Sequence, residues 1–245
     1  MSRAEVLNRH KEYKPHLAVP DPRTPILVSG REILSQLPIL GQTLRPVVSS
    51  LRRPILIWIA NGGKQFAEDL IDHIPLVDGE RGFDVGIVQY RSRVGVEGHN
   101  EAGIMLDETE YPFPDVVGRD VFGLDDVLDS AETVCEFDAE VRRRGGLVTD
   151  LAFAAEKPTE DRFKGLIRTH NLRKSIRIWS LTQVPPIWLF KYGMDNGKAE
   201  TEAEDRAGRE IRVNWEYEKE HNPEAYAYYL RQAFLRDPTA AKRLG

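Results

Sequence analysis

Residues 117–133 constrain the fold more than any other stretch, because an apolar segment there gives way abruptly to acids. Residues 121–124 read Val-Phe-Gly-Leu, and Asp125, Asp126 and Asp129 follow. Small and hydroxyl-bearing residues come next, and then a helical pattern begins. We interpret the stretch as a buried strand with an acidic tip, a tight loop and a helix N-terminus, whose unpaired N–H groups attract anions. Because carboxylates suit sugar hydroxyls and divalent metals, the pattern favours a ligand that carries both a ribose and a phosphate.

Apolar segments with the composition of strands alternate with segments of helical periodicity along the chain. The strand-like segments are residues 26–28, 54–60, 83–90, 121–124, 147–154, 175–179 and 187–192. This alternation predicts an α/β fold with a mainly parallel, twisted sheet flanked by helices. Ligands bind such sheets at the carboxyl ends of the strands. Residues 61–63, residues 125–133 and Lys157 all lie at such ends, so we expect them to meet at one edge of the sheet.

The predicted domain, residues 25–197, has an appendage at each end. Residues 1–24 are polar and punctuated by prolines, which predicts an irregular N-terminal lead-in. Residues 198–245 are expected to form a helical C-terminal extension. Within it, Asn222 and Pro223 suit a cap and a first helical position. One apolar face follows and is expected to pack on the domain or on a second subunit; its members are Tyr226, Tyr229, Leu230, Ala233 and Phe234.

The composition narrows the class of protein. A net charge of −5 and a pI of about 5.8 leave no cationic footprint for nucleic acid. The longest apolar run, residues 55–60, is far shorter than the roughly 20 residues that cross a bilayer, and the charged N-terminus lacks the apolar core of a signal peptide. A single cysteine, Cys135, excludes an intrachain disulfide. We therefore expect a cytoplasmic protein without nucleic-acid or membrane partners, in which the arginines at 142–144 compensate a helix dipole on a solvated face.

Residues 124–133 read Leu-Asp-Asp-Val-Leu-Asp-Ser-Ala-Glu-Thr and resemble the phosphoribosyl-pyrophosphate signature of the type I phosphoribosyltransferases. That signature is an apolar strand, two acids, two apolar residues and then Asp-Thr/Ser-Gly-x-Thr. Three further segments are similar to the hypoxanthine-guanine branch of the family: residues 59–67 around the Gly-Gly pair, residues 155–158 (Ala-Glu-Lys-Pro) and residues 188–195 (Trp-Leu-Phe-Lys-Tyr-Gly-Met-Asp). The resemblance extends over residues 25–197. It implies the type I fold with a small hood region beside the sheet, assembled as a homodimer or homotetramer.

The resemblance implies a role for each residue of the acidic stretch. Asp125 and Asp126 would hold the 2′- and 3′-hydroxyls of the ribose, directly or through Mg²⁺. Asp129 would face N7 of a purine and act as the general acid and base, a kind of help that is typically about 10²–10⁴ in rate. The residues that would cradle the 5′-phosphate are Ser130, Ala131, Glu132 and Thr133.

The resemblance also implies a site for the leaving pyrophosphate. Asn61, Gly62 and Gly63 would contact the pyrophosphate, and residues 91–103 would close over the reacting centre. Lid closure of this kind keeps water away from a cationic, oxocarbenium-like ribose. The implied reaction transfers 5-phosphoribosyl from phosphoribosyl pyrophosphate to N9 of hypoxanthine or guanine and releases pyrophosphate, as in purine salvage.

The purine would be recognised by residues from two segments. Lys157 would donate a hydrogen bond to O6 of a 6-oxopurine. Trp188 would stack on the base, and Leu189 and Asp195 are expected beside it. Asp195 would also bind a second Mg²⁺. The implied partners are therefore two small molecules, phosphoribosyl pyrophosphate and a purine, with Mg²⁺ as cofactor.

Several positions depart from the family's pattern. Ala131 stands where the phosphate loop has glycine, which costs about 1–2 kcal/mol if a left-handed conformation is required, and Glu132 adds negative charge. Gln89 replaces a serine ahead of the closing loop, and after Asp195 no arginine matches the one that touches pyrophosphate. Three alternatives therefore stay open: a non-catalytic sensor that binds phosphoribosyl pyrophosphate or a nucleotide, the same chemistry on another nucleobase, and an acidic tip that is only a solvated loop.

Overall fold

A computed structural model describes residues 5, 8, 11–24, 26–60, 62–74, 82–92, 104–129, 132–157, 176–185, 189–190 and 210–236. Its strands, in chain order, are β1 (His16–Leu17), β2 (Ile26–Val28), β3 (Ile55–Ala60), β4 (Asp84–Ser92), β5 (Ile104–Leu106), β6 (Asp120–Leu128), β7 (Leu147–Glu156), β8 (Arg177–Gln183), β9 (Leu189–Phe190) and β10 (Ile211–Val213). Helices in these ranges include α1 (Gly30–Ser49), α2 (Gly63–Ile71), α3 (Glu132–Arg143), α4 (Trp215–His221) and α5 (Pro223–Arg236).

Seven strands form the central sheet in the order β1-β8-β7-β6-β3-β4-β5. Neighbouring strands run parallel except for β5, which pairs antiparallel with β4. Alternate side chains of each strand point to opposite faces. Helices α1 and α2 pack on one face, and α3 packs on the other. The predicted α/β fold, with a mainly parallel sheet flanked by helices, is therefore confirmed.

Strand β6 runs further than the sequence pattern predicts. The pattern predicts an end before Asp125, whereas the strand continues to Leu128. The acids at 125 and 126 lie inside the strand because β7 continues beside them, with Asp125 opposite Phe153. A sheet ladder therefore holds the acid pair, and only Asp129 follows the end of the strand.

Gly123 allows α3 to lie close to β6. A Cβ atom at this position would come within 2.4 Å of Leu151 Cδ2 and 2.9 Å of Phe137 Cε1. Phe137 is a fully buried residue of α3, so the helix rests directly on the strand that carries the acids. This close packing fixes the start of α3 beside the end of β6.

Both terminal segments contribute strands. His16 of β1 pairs with Thr182 of β8, so the predicted lead-in forms one edge of the central sheet. The predicted C-terminal extension contains β10, which pairs with β2 and β9 in a three-stranded antiparallel sheet. This small second sheet corresponds to the expected hood, and α4 and α5 supply the expected helical extension. The domain boundaries at residues 24 and 197 remain predictions.

Helix α5 follows the sequence pattern closely. It begins at Pro223, and its apolar face packs on α4, where the Trp215 ring lies 6.2 Å from Tyr226 and 6.3 Å from Tyr229. Trp215 Nε1 also donates to Thr24 O over 2.8 Å, which ties the extension to the N-terminal segment. In the described ranges, no helix is both long and apolar enough to span a membrane.

The arginines at the end of α3 are engaged by nearby acids. Arg142 Nε donates to Asp138 Oδ2 over 2.7 Å, and both Arg143 Nη2 and Arg144 Nε lie 2.5 Å from Glu140 Oε1. Arg142 and Arg143 therefore pair along their own helix, whereas Arg144 also reaches Glu108 Oε2 over 2.9 Å. Only Arg143 is exposed, so the predicted solvated face holds for that residue alone.

Candidate active site at the carboxyl edge of the sheet

The glycine loop after β3 lies directly against the acids of β6, the neighbouring strand. A Cβ atom on Gly62 would lie 2.1 Å from Asp126 Oδ2, and one on Gly63 would lie 3.0 Å from Asp125 Cα. Only glycine leaves room for such an approach. The Gly-Gly pair and the acid pair therefore form one structural unit.

Asp125 is a buried acid, with 8% of its surface exposed. Burial, reinforced by the negative charge of Asp126, raises the pKa of the Asp125 carboxyl well above its usual range. Asp125 Oδ1 accepts a hydrogen bond from Asp126 N at 2.9 Å, and Asp126 Oδ1 accepts one from Val127 N at 2.7 Å. The raised pKa means that a second negative charge is unfavourable at this buried position, and a cation or donating hydroxyl groups would stabilise the fully charged pair.

Asp129 and Lys157 are brought together by the register of β6 and β7. The last residues of these strands, Leu128 and Glu156, are paired, and Lys157 N donates to Leu128 O over 3.0 Å. Lys157 Nζ donates to Asp129 Oδ2 over 2.7 Å. The Lys157 side chain is 10% exposed, whereas the Asp129 side chain is 52% exposed. A cationic donor and an anionic acceptor thus lie side by side, with the carboxylate open to solvent.

Glu156 anchors the strand end that carries Lys157, and sequence reasoning missed this role. Its Oε2 accepts from Ser180 Oγ at 2.9 Å and from Gln183 Nε2 at 3.5 Å, both on β8. Because Glu156 directly precedes Lys157, these bonds hold the backbone from which Lys157 reaches Asp129. The only signal in the sequence was an acid at the end of an apolar strand.

The start of α3 offers backbone donors close to Asp129. The helix begins at Glu132, and both Glu132 and Thr133 are partly exposed in its first turn. The first N–H groups of a helix have no partner inside the helix and attract anions. The predicted helix is therefore present, but it begins at Glu132, within the stretch that the sequence pattern assigns to the loop. Its binding of a phosphate stays a prediction.

Five predicted site residues lie outside the described ranges, and their roles remain predictions: Asn61, Ser130, Ala131, Trp188 and Asp195. Closure of residues 91–103 also stays a prediction, since its first two residues belong to β4 and the segment 93–103 is outside the described part. Leu189 is 5% exposed, lies opposite Val213 and belongs to the hydrophobic core. Its expected contact with the purine stays a prediction.

Gln89 is a further polar residue at this edge of the sheet. It lies in β4 opposite Ala60, the last residue of β3, and is 5% exposed. Its Oε1 is buried without a hydrogen-bond partner in the part of the chain that the structure describes. The sequence marks Gln89 only as the replacement of a serine.

The donors at this edge suit Mg²⁺ that binds together with a phosphate-bearing ligand. Mg²⁺ commonly takes one or two protein carboxylates and completes its shell with waters and substrate phosphates. Asp125 and Asp126 supply hard oxygen donors of that kind. The described residues contain no group of three or more His, Cys, Asp or Glu side chains that could hold a metal ion. Asp125 and Asp126 are therefore the residues of this edge that could hold a metal ion.

Comparison with solved structures shows which proteins share this fold. A hypoxanthine phosphoribosyltransferase from Staphylococcus aureus has a TM-score of 0.58 and 16% identity, over 77% of this chain and 89% of that chain. The hypoxanthine phosphoribosyltransferase of Trypanosoma cruzi has a TM-score of 0.56 and 18% identity, over 78% and 95%. A hypoxanthine-guanine phosphoribosyltransferase from Bacillus anthracis has a TM-score of 0.56 and 16% identity, over 80% and 98%. No protein-family model and no curated protein matches the sequence. The expected type I phosphoribosyltransferase fold is thereby confirmed, at a sequence identity of only 16–18% to these neighbours.

Proposed function

We propose that this chain is a Mg²⁺-dependent purine phosphoribosyltransferase of purine salvage, which transfers 5-phosphoribosyl from phosphoribosyl pyrophosphate to N9 of hypoxanthine or guanine. The observation that carries the proposal is the 2.7 Å contact between Lys157 Nζ and Asp129 Oδ2. It lies at the sheet edge that also holds the acid pair and the glycine loop. The fold shared with hypoxanthine phosphoribosyltransferases supports a transferase.

The paired Lys157 and Asp129 match the edge of a 6-oxopurine. That edge presents an acceptor, O6, next to N7, which carries a proton in one tautomer of the free base. Lys157 donates to O6 and Asp129 accepts from N7–H, so the base replaces one ion pair by two charge-assisted hydrogen bonds. A 6-amino group would instead turn its own donors toward the Lys157 ammonium, and this mismatch favours 6-oxopurines.

The acid pair and the helix starts suit the phosphoribosyl donor. Asp125 and Asp126 hold the ribose hydroxyls, directly or through Mg²⁺, and the start of α3 receives the 5′-phosphate. Gly62 and Gly63 allow the pyrophosphate to approach the backbone. Mg²⁺, when bound, neutralises charge that develops on the leaving pyrophosphate. Trp188, Leu189 and Asp195 complete the proposed purine side of the site.

The reaction exchanges one bond to C1 of the ribose for another and transfers one proton. N9 of the base bonds to C1 of the ribose while the bond from C1 to the pyrophosphate oxygen breaks. The proton on N7 passes to Asp129, whose carboxylate a bound base can reach because 52% of its side chain is exposed. Asp129 is therefore the proposed catalytic residue, and Lys157 both orients the base and balances the charge of Asp129 before the base arrives.

The test is an assay of the purified chain with phosphoribosyl pyrophosphate, Mg²⁺ and hypoxanthine, guanine, xanthine or adenine. We expect nucleotide from hypoxanthine and guanine, and much less from adenine. Binding of phosphoribosyl pyrophosphate without nucleotide from any base would overturn the proposal and favour a non-catalytic sensor. Turnover of adenine in preference to hypoxanthine would agree with phosphoribosyl transfer but contradict the proposed hydrogen bond from Lys157 to O6.

A further inference from the structure

A cleft of about 270 Å³ opens at the amino edge of the central sheet, opposite the edge that carries the candidate active site. Its lining residues lie at or just before the starts of β3, β4 and β6, three neighbouring parallel strands. They are Arg53, Pro54, Gly82, Phe83, Asp84 and Arg119. Arg119 and Asp125 are separated by most of β6, roughly 20 Å at about 3.3 Å per residue. The cleft is therefore separate from the acid pair and the glycine loop.

Arg119 forms the buried wall of the cleft, with 9% of its surface exposed. Its Nε donates to Arg53 O over 2.9 Å, and its Nη2 donates to Pro54 O over 3.0 Å. Nη2 also donates to Asp84 Oδ2 over 2.5 Å. The contact from Nη1 to Asp115 O is 3.5 Å long, at the limit of a hydrogen bond. Backbone carbonyls thus fix the guanidinium, and its close anionic contact is the one to Asp84.

Asp84 occupies the position at Arg119 that an external anion would take. Its side chain is 70% exposed, whereas the side chain of Arg119 is 11% exposed. An ion pair with so exposed a partner contributes little to stability, so the Asp84 carboxylate can turn into solvent and leave the buried arginine to a ligand. A phosphate group presents similar oxygens with a higher charge, and the planar guanidinium suits it well.

Arg53 brings a second guanidinium to the cleft on a strained backbone. Its φ of 47° is an outlier for a bulky side chain, and the proline that follows restricts it further. The preceding residue is tied down, since Arg52 N donates to Asp120 Oδ2 over 2.7 Å and Arg52 O accepts from Asp120 N at 3.0 Å. In the described part of the chain the Arg53 guanidinium takes part in no ion pair. Strained residues that their surroundings hold in place are typical of ligand-binding sites.

We propose that this cleft binds the phosphate group of a small molecule, with Arg119 and Arg53 donating hydrogen bonds to its oxygens and Asp84 displaced into solvent. The charged residues of the lining are two arginines and one acid, which favours an anion. Pro54 and Phe83 line the same cleft and offer apolar surface to the rest of the molecule. The site is independent of the proposed transfer reaction, because none of its residues takes part in that reaction.

The test is a titration of isotope-labelled protein with inorganic phosphate, followed by NMR at the amides of Asp84 and Arg119. We expect saturable shifts at both positions. In Arg53→Ala and in Arg53→Gly the dissociation constant should rise about tenfold or more, as for a lost hydrogen bond between charged groups. Arg231→Ala, a control at an exposed position of α5, should leave the constant unchanged. The absence of a saturable shift at Asp84 and Arg119 would overturn the proposal.

Asp84→Asn should change the affinity in the opposite direction. The amide carries no charge and competes less well for Arg119, so the dissociation constant of phosphate should fall about two- to fivefold, as for loss of a surface ion pair. Phosphate that binds at the proposed active site would respond to neither set of substitutions, because that edge lies roughly 20 Å away. Unchanged or weaker binding in Asp84→Asn would contradict displacement of the carboxylate and overturn the proposal.

Thermal unfolding separates the role of the Arg53 side chain from that of its backbone. Glycine adopts a positive φ without strain, so Tm should be higher for Arg53→Gly than for Arg53→Ala. Both variants lack the guanidinium and should lose affinity for phosphate equally. A loss confined to Arg53→Gly would assign the effect to the backbone conformation and overturn the role of the guanidinium.

Discussion

Lys157 Nζ lies 2.7 Å from Asp129 Oδ2, and this contact joins the ends of two adjacent parallel strands. The two residues are 28 positions apart in sequence, so the sheet register is what makes them neighbours. The ion pair places a cationic donor and an anionic acceptor side by side, and their charges neutralise each other. A purine edge that offers an acceptor and a donor can take the place of each partner.

Asp129→Asn tests the proton acceptor. The amide keeps the shape of the side chain but cannot accept a proton from N7, so kcat should fall by about 10²–10⁴-fold. Affinity for phosphoribosyl pyrophosphate should stay within a few fold, as measured by calorimetry. An equal loss of affinity would show that Asp129 positions the sugar and not the base.

Lys157→Ala tests recognition of the purine. Removing the donor to O6 should lower the ratio of kcat/KM for hypoxanthine over adenine by about tenfold or more. Steady-state kinetics with both bases measure this ratio, and Lys64→Ala provides a control on an exposed lysine that is 64% accessible. An unchanged ratio would remove Lys157 from the account of specificity.

Gly62→Ala tests the contact between the glycine loop and the acid pair. The added Cβ would lie 2.1 Å from Asp126 Oδ2, so the loop or the acid must move. The KM for phosphoribosyl pyrophosphate should rise about tenfold or more if the acid pair holds the ribose. Gly82→Ala is the matched control, because a Cβ there meets nothing within 4 Å. Identical kinetics for both variants would contradict the proposed coupling of loop and acids.

Asp150→Ala tests the ion pair that supports β7 and β8. Asp150 is fully buried and accepts from Arg177 Nε at 2.6 Å and from Trp179 Nε1 at 2.9 Å. Removing it leaves Arg177 without its buried partner, which should reduce the free energy of unfolding by about 3–5 kcal/mol. Chemical denaturation measures the loss, and Glu68→Ala, which removes an exposed partner of Lys64, should change stability by less than about 1 kcal/mol. Similar values for the two variants would mean that the Asp150 pair contributes little.

The lowered pKa of Glu140 predicts that the free energy of unfolding decreases at acidic pH. Hydrogen bonds from Arg143, helped by Arg144, lower the pKa of Glu140 from 4.5 to about 2. Because the pKa of Glu140 is lower in the folded than in the unfolded protein, its pairing with the arginines stabilises the fold fully at pH values above 4.5, the pKa in the unfolded chain. This stabilisation is lost as the pH falls from 4.5 toward 2. Denaturation midpoints for the unaltered protein and Glu140→Gln should therefore differ at pH 6 and converge near pH 2. A constant difference across that range would exclude this linkage.

The sequence predicts the sheet and the edge that carries the candidate site because both depend on local patterns. Apolar segments ending in glycines, acids or a lysine mark the strand ends, and a parallel sheet brings such ends together. For this reason the sequence alone assigns Gly62, Asp126 and Lys157 to one edge. The contact distances between these residues could not be predicted, because they depend on the strand register.

Long-range pairing is what the sequence could not predict. The pattern ends the acidic strand before Asp125, because an acid inside a strand is unfavourable unless a neighbouring strand supports it, and that neighbour is β7. The strand at His16 forms only because β8 offers an open edge more than 160 residues away, as the 166-residue separation of Thr182 and His16 shows. Such partners leave no periodic signal in the segments themselves.

The most direct test of the central claim is base-dependent release of pyrophosphate. Purified protein is incubated with phosphoribosyl pyrophosphate and Mg²⁺, with and without hypoxanthine, and both pyrophosphate and nucleotide are measured. We predict equal amounts of the two products when hypoxanthine is present and almost none of either without it. The rate of product formation by Asp129→Asn should be about 10²–10⁴-fold lower. Release of pyrophosphate that does not depend on a base, or tight binding of the donor without any nucleotide, would contradict the account.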